Sequence, residues 1–277
     1  MKVAIQGGKA SFHDEAVQVY FGENDHELLE CATFRRLSLA LKSGEADLAI
    51  MAVENTLAGS ILPNYALIEE FSFNIIGEVY LRIIQNLMAL PGQSLNDIHM
   101  VKSHPMALNQ CSKFLEENPH MRGIETFDTA ESAREIMEHQ LPGTAAIAGK
   151  RAAELYGLSI LSESIENVKQ NYTRFLILST KQNYRLDGIN KSSINFKVKH
   201  TPGALAEILN LLKEYNLNMS LIQSIPIPGY PSEYAFHIDF VWQDKAHCEK
   251  AVKVLEEKTK EFKLLGMYKA GKIPYEN

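Results

Sequence analysis

Apolar and polar positions follow two alternating periods along residues 1–180. Val3-Ala4-Ile5 is a short apolar run closed by Gly7-Gly8, which reads as a strand entering a glycine turn. Helical spacing follows from His13 to Phe21, and Leu28 to Ala32 reads as extended. Thr33 then stands as an N-cap before Phe34, Leu37 and Leu41, which are spaced i, i+3, i+7, and Gly44 ends that helix. Leu48 to Val53 is apolar at every position, the mark of a strand covered on both faces in a parallel sheet.

The next stretch repeats the pattern. Ile75–Tyr80 and Leu81–Ala89 read as strands, punctuated by Pro91-Gly92. Met100 to Lys102 forms a strand running into the polar turn Ser103-His104-Pro105, with a helix from Met106 to Glu117 behind it. Thr129-Ala130-Glu131-Ser132 opens a helix through His139, and Ala145–Ala148 is a buried strand stopped by Gly149. Arg151–Tyr156 is helical and capped by Gly157. Arg174–Ser179 is the last strand of this part. Strands and helices in alternation predict an α/β fold with crossovers. Ligand sites in such folds gather beyond the carboxyl ends of the strands.

Between Lys181 and Lys191 the chain turns polar and reads as a linker. Residues 192–272 then form a second unit. Its order is strand (Ser193–Val198), helix after Pro202-Gly203 (Ala204–Tyr215), two strands (Met219–Ser224, Tyr234–Trp242), helix (Lys245–Thr259) and strand (Phe262–Tyr268). Leu205, Ile208, Leu209 and Leu212 share one face of the first helix. The βαββαβ order is ferredoxin-like.

Composition narrows the classes. Apolar residues make up 45% of the chain and charged ones 22%, enough for buried cores. With 28 basic and 34 acidic residues the net charge is −6, which argues against a nucleic-acid partner. A small anion remains compatible, because local amides and cations can hold one in an acidic protein. No apolar run approaches the ~20 residues of a membrane span, and the N-terminus lacks a signal-peptide pattern. Cys31, Cys111 and Cys248 are odd in number and far apart, so they read as reduced, buried thiols. The expectation is a cytoplasmic protein away from membranes.

Four polar clusters fall where strands end. Gly7-Gly8-Lys9-Ala10-Ser11-Phe12-His13 brings backbone amides and a helix N-terminus together, as an anion site does and as a tight turn also does. Val53-Glu54-Asn55-Thr56 follows the apolar strand, with Asn55 or Thr56 as alternative helix caps. Ser103-His104-Pro105 leads to Gln110 one to two turns on. Asn171-Tyr172-Thr173-Arg174-Phe175 enters the last strand. Alternation there places Thr173 and Phe175 on one face and Arg174 on the other, where a buried arginine paired to a carboxylate is the alternative to a ligand contact. There is no GxGxxG, no Walker lysine, no HExxH and no Cys/His cluster, so neither nucleotide nor metal binding is supported.

Taken in order, Gly7-x-x-Ala10-Ser11-Phe12, Val53-Glu54-Asn55-Thr56-x-x-Gly59, Ser103-His104-Pro105 through Gln110-Cys111, Thr129-Ala130-Glu131, Ala145–Ala148 and Asn171–Phe175 resemble the prephenate dehydratase family, whose signature is the final Thr-Arg-Phe. Pro202-Gly203-Ala204-Leu205 with Asn218 and Gln223-Ser224 resembles the ACT domain that follows it. The resemblance implies a two-lobed, periplasmic-binding-protein-like catalytic domain over 1–180, with subdomains of about 1–75 with 160–180, and 76–159. A linker (181–191) and a ferredoxin-like ACT regulatory domain (192–272) follow. It implies decarboxylating dehydration of prephenate to phenylpyruvate, CO2 and water, with no metal and no cofactor. It further implies feedback by L-phenylalanine at the ACT domain of a homodimer or homotetramer.

The resemblance also implies residue roles. Thr173 donates to the leaving hydroxyl, and Asn55, Ser103 and Gln110 hydrogen-bond substrate oxygens. Ser11, with the amides near Gly8 and Ala10, holds a carboxylate. His104, Arg174 and Phe175 complete the substrate site, Arg174 as positive charge and Phe175 against the ring. Glu54 is either protonated at the substrate or turned away toward Arg174. Effector contacts fall to Gly203, Ala204, Leu205, Asn218, Gln223 and Ser224. The chain departs from the family pattern at His13 (commonly a small hydroxyl residue), at Met106 (often Gln) and at Gln223-Ser224-Ile225-Pro226 (Glu-Ser-Arg-Pro in the family). An arogenate dehydratase, a non-catalytic binding module and a regulatory partner share these features. Residue 1 lies almost at the first strand, which sets the expectation of a dehydratase without a chorismate mutase segment.

Overall fold

The computed structural model describes residues 1–22, 26–182, 188–198, 201–227, 229–230 and 233–273. Residues 183–187 of the linker expected at 181–191 lie outside them.

The chain opens with β1 (Lys2–Gln6), α1 (Phe12–Phe21), β2 (Glu27–Cys31), α2 (Phe34–Ser43) and β3 (Leu48–Asn55). A two-residue strand β4 (Gly59–Ser60), α3 (Leu62–Glu70) and β5 (Asn74–Arg82) follow. The caps act as the sequence predicts: the Thr33 hydroxyl accepts from the Arg36 amide, and Gly44 adopts the left-handed conformation that ends α2. A second group comprises β6 (Asn86–Ala89), β7 (Met100–Ser103), α4 (Pro105–Gln110), α5 (Ser112–Glu117), β8 (Arg122–Glu125), α6 (Thr129–Glu138), β9 (Thr144–Ala148), α7 (Lys150–Tyr156) and β10 (Ser159–Ser162). The chain then returns as β11 (Tyr172–Ser179). The last unit is β12 (Lys191–Lys197), α8 (Ala204–Glu214), β13 (Asn218–Pro226), β14 (Tyr234–Val241), α9 (Lys245–Lys258) and β15 (Lys260–Tyr268).

Three sheets result. The first has the order β2-β1-β3-β11-β5, with β4 on β3. Its β1, β2 and β3 are parallel, while β11 runs antiparallel between β3 and β5. The second sheet has the order β10-β6-β9-β7-β8 and the third, fully antiparallel, β13-β14-β12-β15. These are two α/β lobes and a ferredoxin-like unit. β3 is buried along almost its whole length, as its unbroken apolar run requires. Separate cores fill the two sides of the first sheet, and the second and third sheets have cores of their own.

Two short crossings join the lobes, 83–85 outward and 163–171 back. The outward crossing lies beyond the boundary near residue 75 that the sequence predicts. β5 stays in the first sheet to Arg82 because it pairs with β11 along its whole length, down to Tyr172 opposite Arg82. The helix expected over Met106–Glu117 starts at Pro105 and breaks at Cys111, whose backbone leaves the helical region. The third sheet packs directly on the first: a Cβ at Gly266 of β15 would lie 1.9 Å from the Ile75 carbonyl oxygen, so only glycine fits there. Among the described residues no helix is long and apolar enough to cross a membrane. All three cysteines are free and buried.

Candidate active site

A cavity of about 370 Å³ lies between the two lobes. The carboxyl ends of β1 and β3 and the start of β11 form one wall, and the β7–α4 turn and the start of α6 form the other. Phe12, Phe34, Ile61, Ile83 and Phe175 give it an apolar lining, and Ser11, Asn55, Gln110, His104, Asp128 and Thr173 supply polar groups.

The polar groups are ordered by one hydrogen-bond relay. Asn55 ends β3, and its Oδ1 accepts from the backbone amides of Leu57 and Ala58, both at 3.0 Å. Only a carbonyl oxygen can face two N–H groups, so the Asn55 amide nitrogen points the other way. It donates to Asn171 Oδ1 at 2.7 Å and to the Thr173 hydroxyl at 2.9 Å. Asn171 in turn donates to Gln110 Oε1 at 3.0 Å, which carries the relay into the second lobe. The polarity is therefore fixed at both ends. Thr173 accepts from Asn55 and keeps its own proton for the cavity; Gln110 accepts from Asn171 and keeps its N–H groups.

Ser11 caps α1, its hydroxyl accepting from the Asp14 amide at 3.3 Å, so its proton also remains for the cavity. Phe175 is buried in the wall, edge-on to His13 with ring centroids 5.0 Å apart. Burial pushes His13 down to about 3, so the ring is neutral, and its Nε2 faces the Ala52 amide at 3.4 Å. His13 is thus a cavity residue and not an exposed one. His104 sits at the rim and caps α4 through Nδ1, which accepts from the Met106 amide at 3.1 Å.

Four expected site residues lie elsewhere. Arg174 is expected to bring positive charge to the substrate; it points from the opposite face of β11, is 2% exposed, and pairs with Glu78 and Asp239, each at 2.6 Å. Strand alternation is the reason, since Thr173 and Phe175 occupy the cavity face. Glu54 lies on that same far side and does not line the cavity. Ser103 is fully buried and gives its proton to the Ile147 carbonyl at 2.6 Å. Ala10 is packed among interlobe apolar residues, and its amide is taken by Asp14 Oδ2 at 2.7 Å. Thr173, Asn55, Gln110, Ser11, His104 and Phe175 do converge. No lysine or arginine is among the described residues that line the cavity.

Three contributors are assigned no role by the sequence. Asn171 is fully buried at the centre of the relay. Gln85 lies on the outward crossing, lines the cavity and has an Oε1 without a hydrogen-bond partner. Asp128 caps α6 and lines the cavity. An asparagine in a loop and a glutamine behind an apolar strand carry no periodic signal. Only the Asp-Thr-x-Glu start of α6 has one, that of an N-cap.

Comparison with known proteins gives this arrangement its chemistry. The prephenate dehydratase family model matches residues 3–183. The chain belongs to that family. Its activity is the decarboxylating dehydration of prephenate to phenylpyruvate in phenylalanine biosynthesis, a carbon–oxygen lyase reaction. The bifunctional chorismate mutase/prephenate dehydratase of Escherichia coli K12 is 33% identical over 96% of this chain and 70% of its own length. Arogenate dehydratase 5 of Arabidopsis thaliana is 33% identical over 99% of this chain and 69% of its own. The crystal structure of the Arthrobacter aurescens prephenate dehydratase, in complex with L-Phe, superposes with a TM-score of 0.86 at 28% identity, covering 97% of this chain and 90% of that one. A chain described as a quorum quenching acylase, GqqA, is similar over 99% of both chains, with a TM-score of 0.86 and 30% identity.

A second cavity, of about 720 Å³, lies in the ferredoxin-like unit and is lined by Gly203, Ala204, Leu205, Ile227, Tyr234 and Phe236 among others. Of the expected effector residues it brings together Gly203, Ala204 and Leu205. Asn218 starts β13 outside it, and the Gln223 amide donates to the Ser224 carbonyl at 2.9 Å on an exposed strand.

Proposed function

We propose that the interlobe cavity binds prephenate with its ring against Phe175 and its departing hydroxyl at Thr173. The observation that carries this reading is the fixed polarity of the Gln110–Asn171–Asn55–Thr173 relay, which leaves one hydroxyl proton for a cavity with an apolar wall. A preorganised donor in such a place stabilises charge as it develops on the leaving oxygen. The two carboxylates are held by neutral donors, Ser11, Gln110 and the neutral His13, because no lysine or arginine is among the described residues that line the cavity. Neutral donors fit the chemistry, since an ion pair at the ring carboxylate would stabilise the group that must leave as CO2. Among the described residues that line the cavity, no serine or thiol is hydrogen-bonded to a base, the pairing that acyl transfer would call for: Ser11 and Thr173 each accept from an amide, and Cys111 is buried with its thiol pushed up to about 12.

The second cavity is the proposed site for L-phenylalanine as effector, supported by a lining around the Gly203 turn that sets Leu205, Ile227 and Phe236 beside the charged Lys197, Glu233 and Lys260. β13 is the free edge of the third sheet, with Met219 exposed. A second copy against that edge would let Asn218, Gln223 and Ser224 complete the effector site, so the working form is a dimer or a tetramer built from dimers. Free buried cysteines suit a reducing, cytoplasmic setting. The deciding experiment is phenylpyruvate formation from prephenate by the purified protein without added metal or cofactor, run beside arogenate and with L-phenylalanine. Turnover of prephenate supports the reading, and preference for arogenate would reassign the substrate. Inertness toward both with folded protein would overturn it.

A further inference from the structure

Expelling a ring hydroxyl as water needs a proton, and an alcohol or a carboxamide is too weak an acid to surrender one. The described residues lining the cavity include three ionisable side chains: His13, His104 and Asp128. His13 is neutral and buried, and a neutral imidazole is no acid at working pH. His104 sits exposed at the rim with Nδ1 occupied by the Met106 amide. Asp128 remains. Its Oδ1 accepts from the Glu131 amide at 2.9 Å, and its carboxyl reaches across to the opposite lobe, where a Cβ at Gly7 would stand 2.8 Å from Oδ2. Gly7, whose φ of +87° itself favours glycine, leaves room for the carboxyl at that point.

Resting on the reading that prephenate binds in this cavity, we propose that Asp128 is the general acid that protonates the departing hydroxyl. A carboxyl that must share a cation-free pocket with a dianion is driven to its neutral form. Burial already raises it above the usual carboxylate range; the amides of Glu131 and Ala130 pull the other way, the Glu131 carboxylate adds to the rise and His104 opposes it. Glu131 is itself tied to Arg134 on α6, Tyr156 of α7 lies within electrostatic range of Asp128 with its hydroxyl on the Lys9 carbonyl, and Glu30 stands beside Gly8 on the first lobe. In the step, the ring C–O bond breaks and the oxygen leaves with its own hydrogen and the Asp128 proton, as water. The bond to the ring carboxylate breaks, its electron pair enters the ring, and CO2 departs. Asp128, left as carboxylate, regains a proton from solvent. One proton is consumed per turnover, as conversion of a dianion to a monoanion plus CO2 requires.

The test is Asp128→Asn, because asparagine caps a helix as well as aspartate does and the fold is preserved. The expected result is a kcat lower by ~10²–10⁴-fold with KM little changed. Wild-type kcat should decline as pH rises through the pKa of Asp128 in the complex, and the residual D128N rate should lack that limb. D128N retaining kcat within about threefold, or a decline that vanishes in His104→Gln instead, would overturn the assignment. So would a wild-type kcat level from about pH 5 to about pH 9, a comparison that needs no variant. Active D128N beside active wild type sinks the acid alone and leaves the cavity reading in place, whereas an inert wild type would sink the reading first.

Discussion

Thr173 and Arg174 are neighbours on β11, yet they belong to two different buried networks. On the cavity face Thr173 ends a chain of neutral amides whose polarity is set by two backbone N–H groups. On the far face Arg174 holds Glu78 and Asp239, with Lys191 on Glu78 at 2.9 Å and His237 on Asp239 at 2.9 Å. Glu78 belongs to β5 of the first sheet, Lys191 to β12 and Asp239 to β14 of the third. One network aims a donor and the other fastens the ferredoxin-like unit to the strand that carries the donor. The comparison teaches that reactive chemistry and interdomain attachment here share one strand and differ by one residue. A shift of β11 caused at the third sheet therefore reaches Thr173 without any intermediate.

The largest effect to seek is on the ionic face. Two cations and two carboxylates balance there, so Arg174→Met leaves Asp239 and part of Glu78 uncompensated in the core, a loss of ~3–5 kcal/mol. The pH dependence should change sign as well. Burial alone would raise Asp239, but Arg174 and then His237 hold it well below the usual carboxylate range. A depressed folded-state pKa contributes stability above the unfolded value of about 3.9, and that stability fades as pH falls toward the folded pKa. In R174M the unpaired carboxylates prefer protons, so the variant should gain stability relative to wild type on acidification from about pH 7 to about pH 5. Urea titrations at the two pH values measure both quantities, and a parallel response in the two proteins would refute the ionic account.

On the cavity face the reverse pattern is expected. Thr173→Ala deletes one buried hydroxyl, but the Asn55 amide nitrogen keeps Asn171 Oδ1 and the Tyr172 carbonyl as acceptors, so unfolding should hardly change. Its kcat should fall by ~10²–10³-fold, the cost of removing one preorganised donor. Retained kcat would remove Thr173 from the mechanism. Equal effects of R174M and T173A on both stability and kcat would dissolve the distinction between the faces.

Much of this was legible in the chain. The apolar run of β3, the Thr33 and Gly44 caps and the βαββαβ order each follow from local periodicity, and the six residues that converge stand in recognisable motifs. Alternation in Tyr172-Thr173-Arg174-Phe175 already separated Thr173 from Arg174, although the family resemblance drew both toward the substrate. What escaped is non-local. Arg174 finds Asp239 in another sheet, a pairing that no spacing encodes. β8 is a polar, largely exposed strand without alternation. Ser103 reads as a site residue because its motif runs into His104, but it is the last residue of β7 and its hydroxyl turns to the Ile147 carbonyl of the neighbouring β9.

Asn171 tests how far the relay acts as a unit. Asn171→Leu leaves the Asn55 amide nitrogen and Gln110 Oε1 short of their buried partner, which costs ~1–3 kcal/mol, or about 5- to 150-fold in kcat/KM. The effect should be smaller than that of T173A because Thr173 itself stays in place. A double variant with T173A should lose less than the product of the two single losses, since both act on the same donor. Strict additivity would mean that the amides bind substrate separately and do not orient Thr173.

Gln85 should show the smallest effect and the most unusual sign. It is 2% exposed, and its backbone is pinned on both sides: its N–H donates to Glu166 Oε2 at 3.0 Å and its carbonyl accepts from Ile165 at 2.8 Å. The side chain therefore stays at the cavity wall with its Oε1 unpaired. A buried acceptor without a donor is a standing cost to the free protein, and a substrate hydrogen can relieve it only when bound. Gln85→Leu keeps the size and removes the unpaired group. The variant should unfold at equal or higher temperature than wild type while kcat/KM for prephenate drops by about tenfold. If instead the melting temperature falls and kinetics stay level, Gln85 serves packing at the crossing and the orphan oxygen has no part in binding. If stability rises and activity falls, the cavity holds a destabilising group on the side of β11 that handles substrate, while on the opposite face Arg174, Lys191, Glu78 and Asp239 are paired with one another, which is the division of labour that the two networks imply.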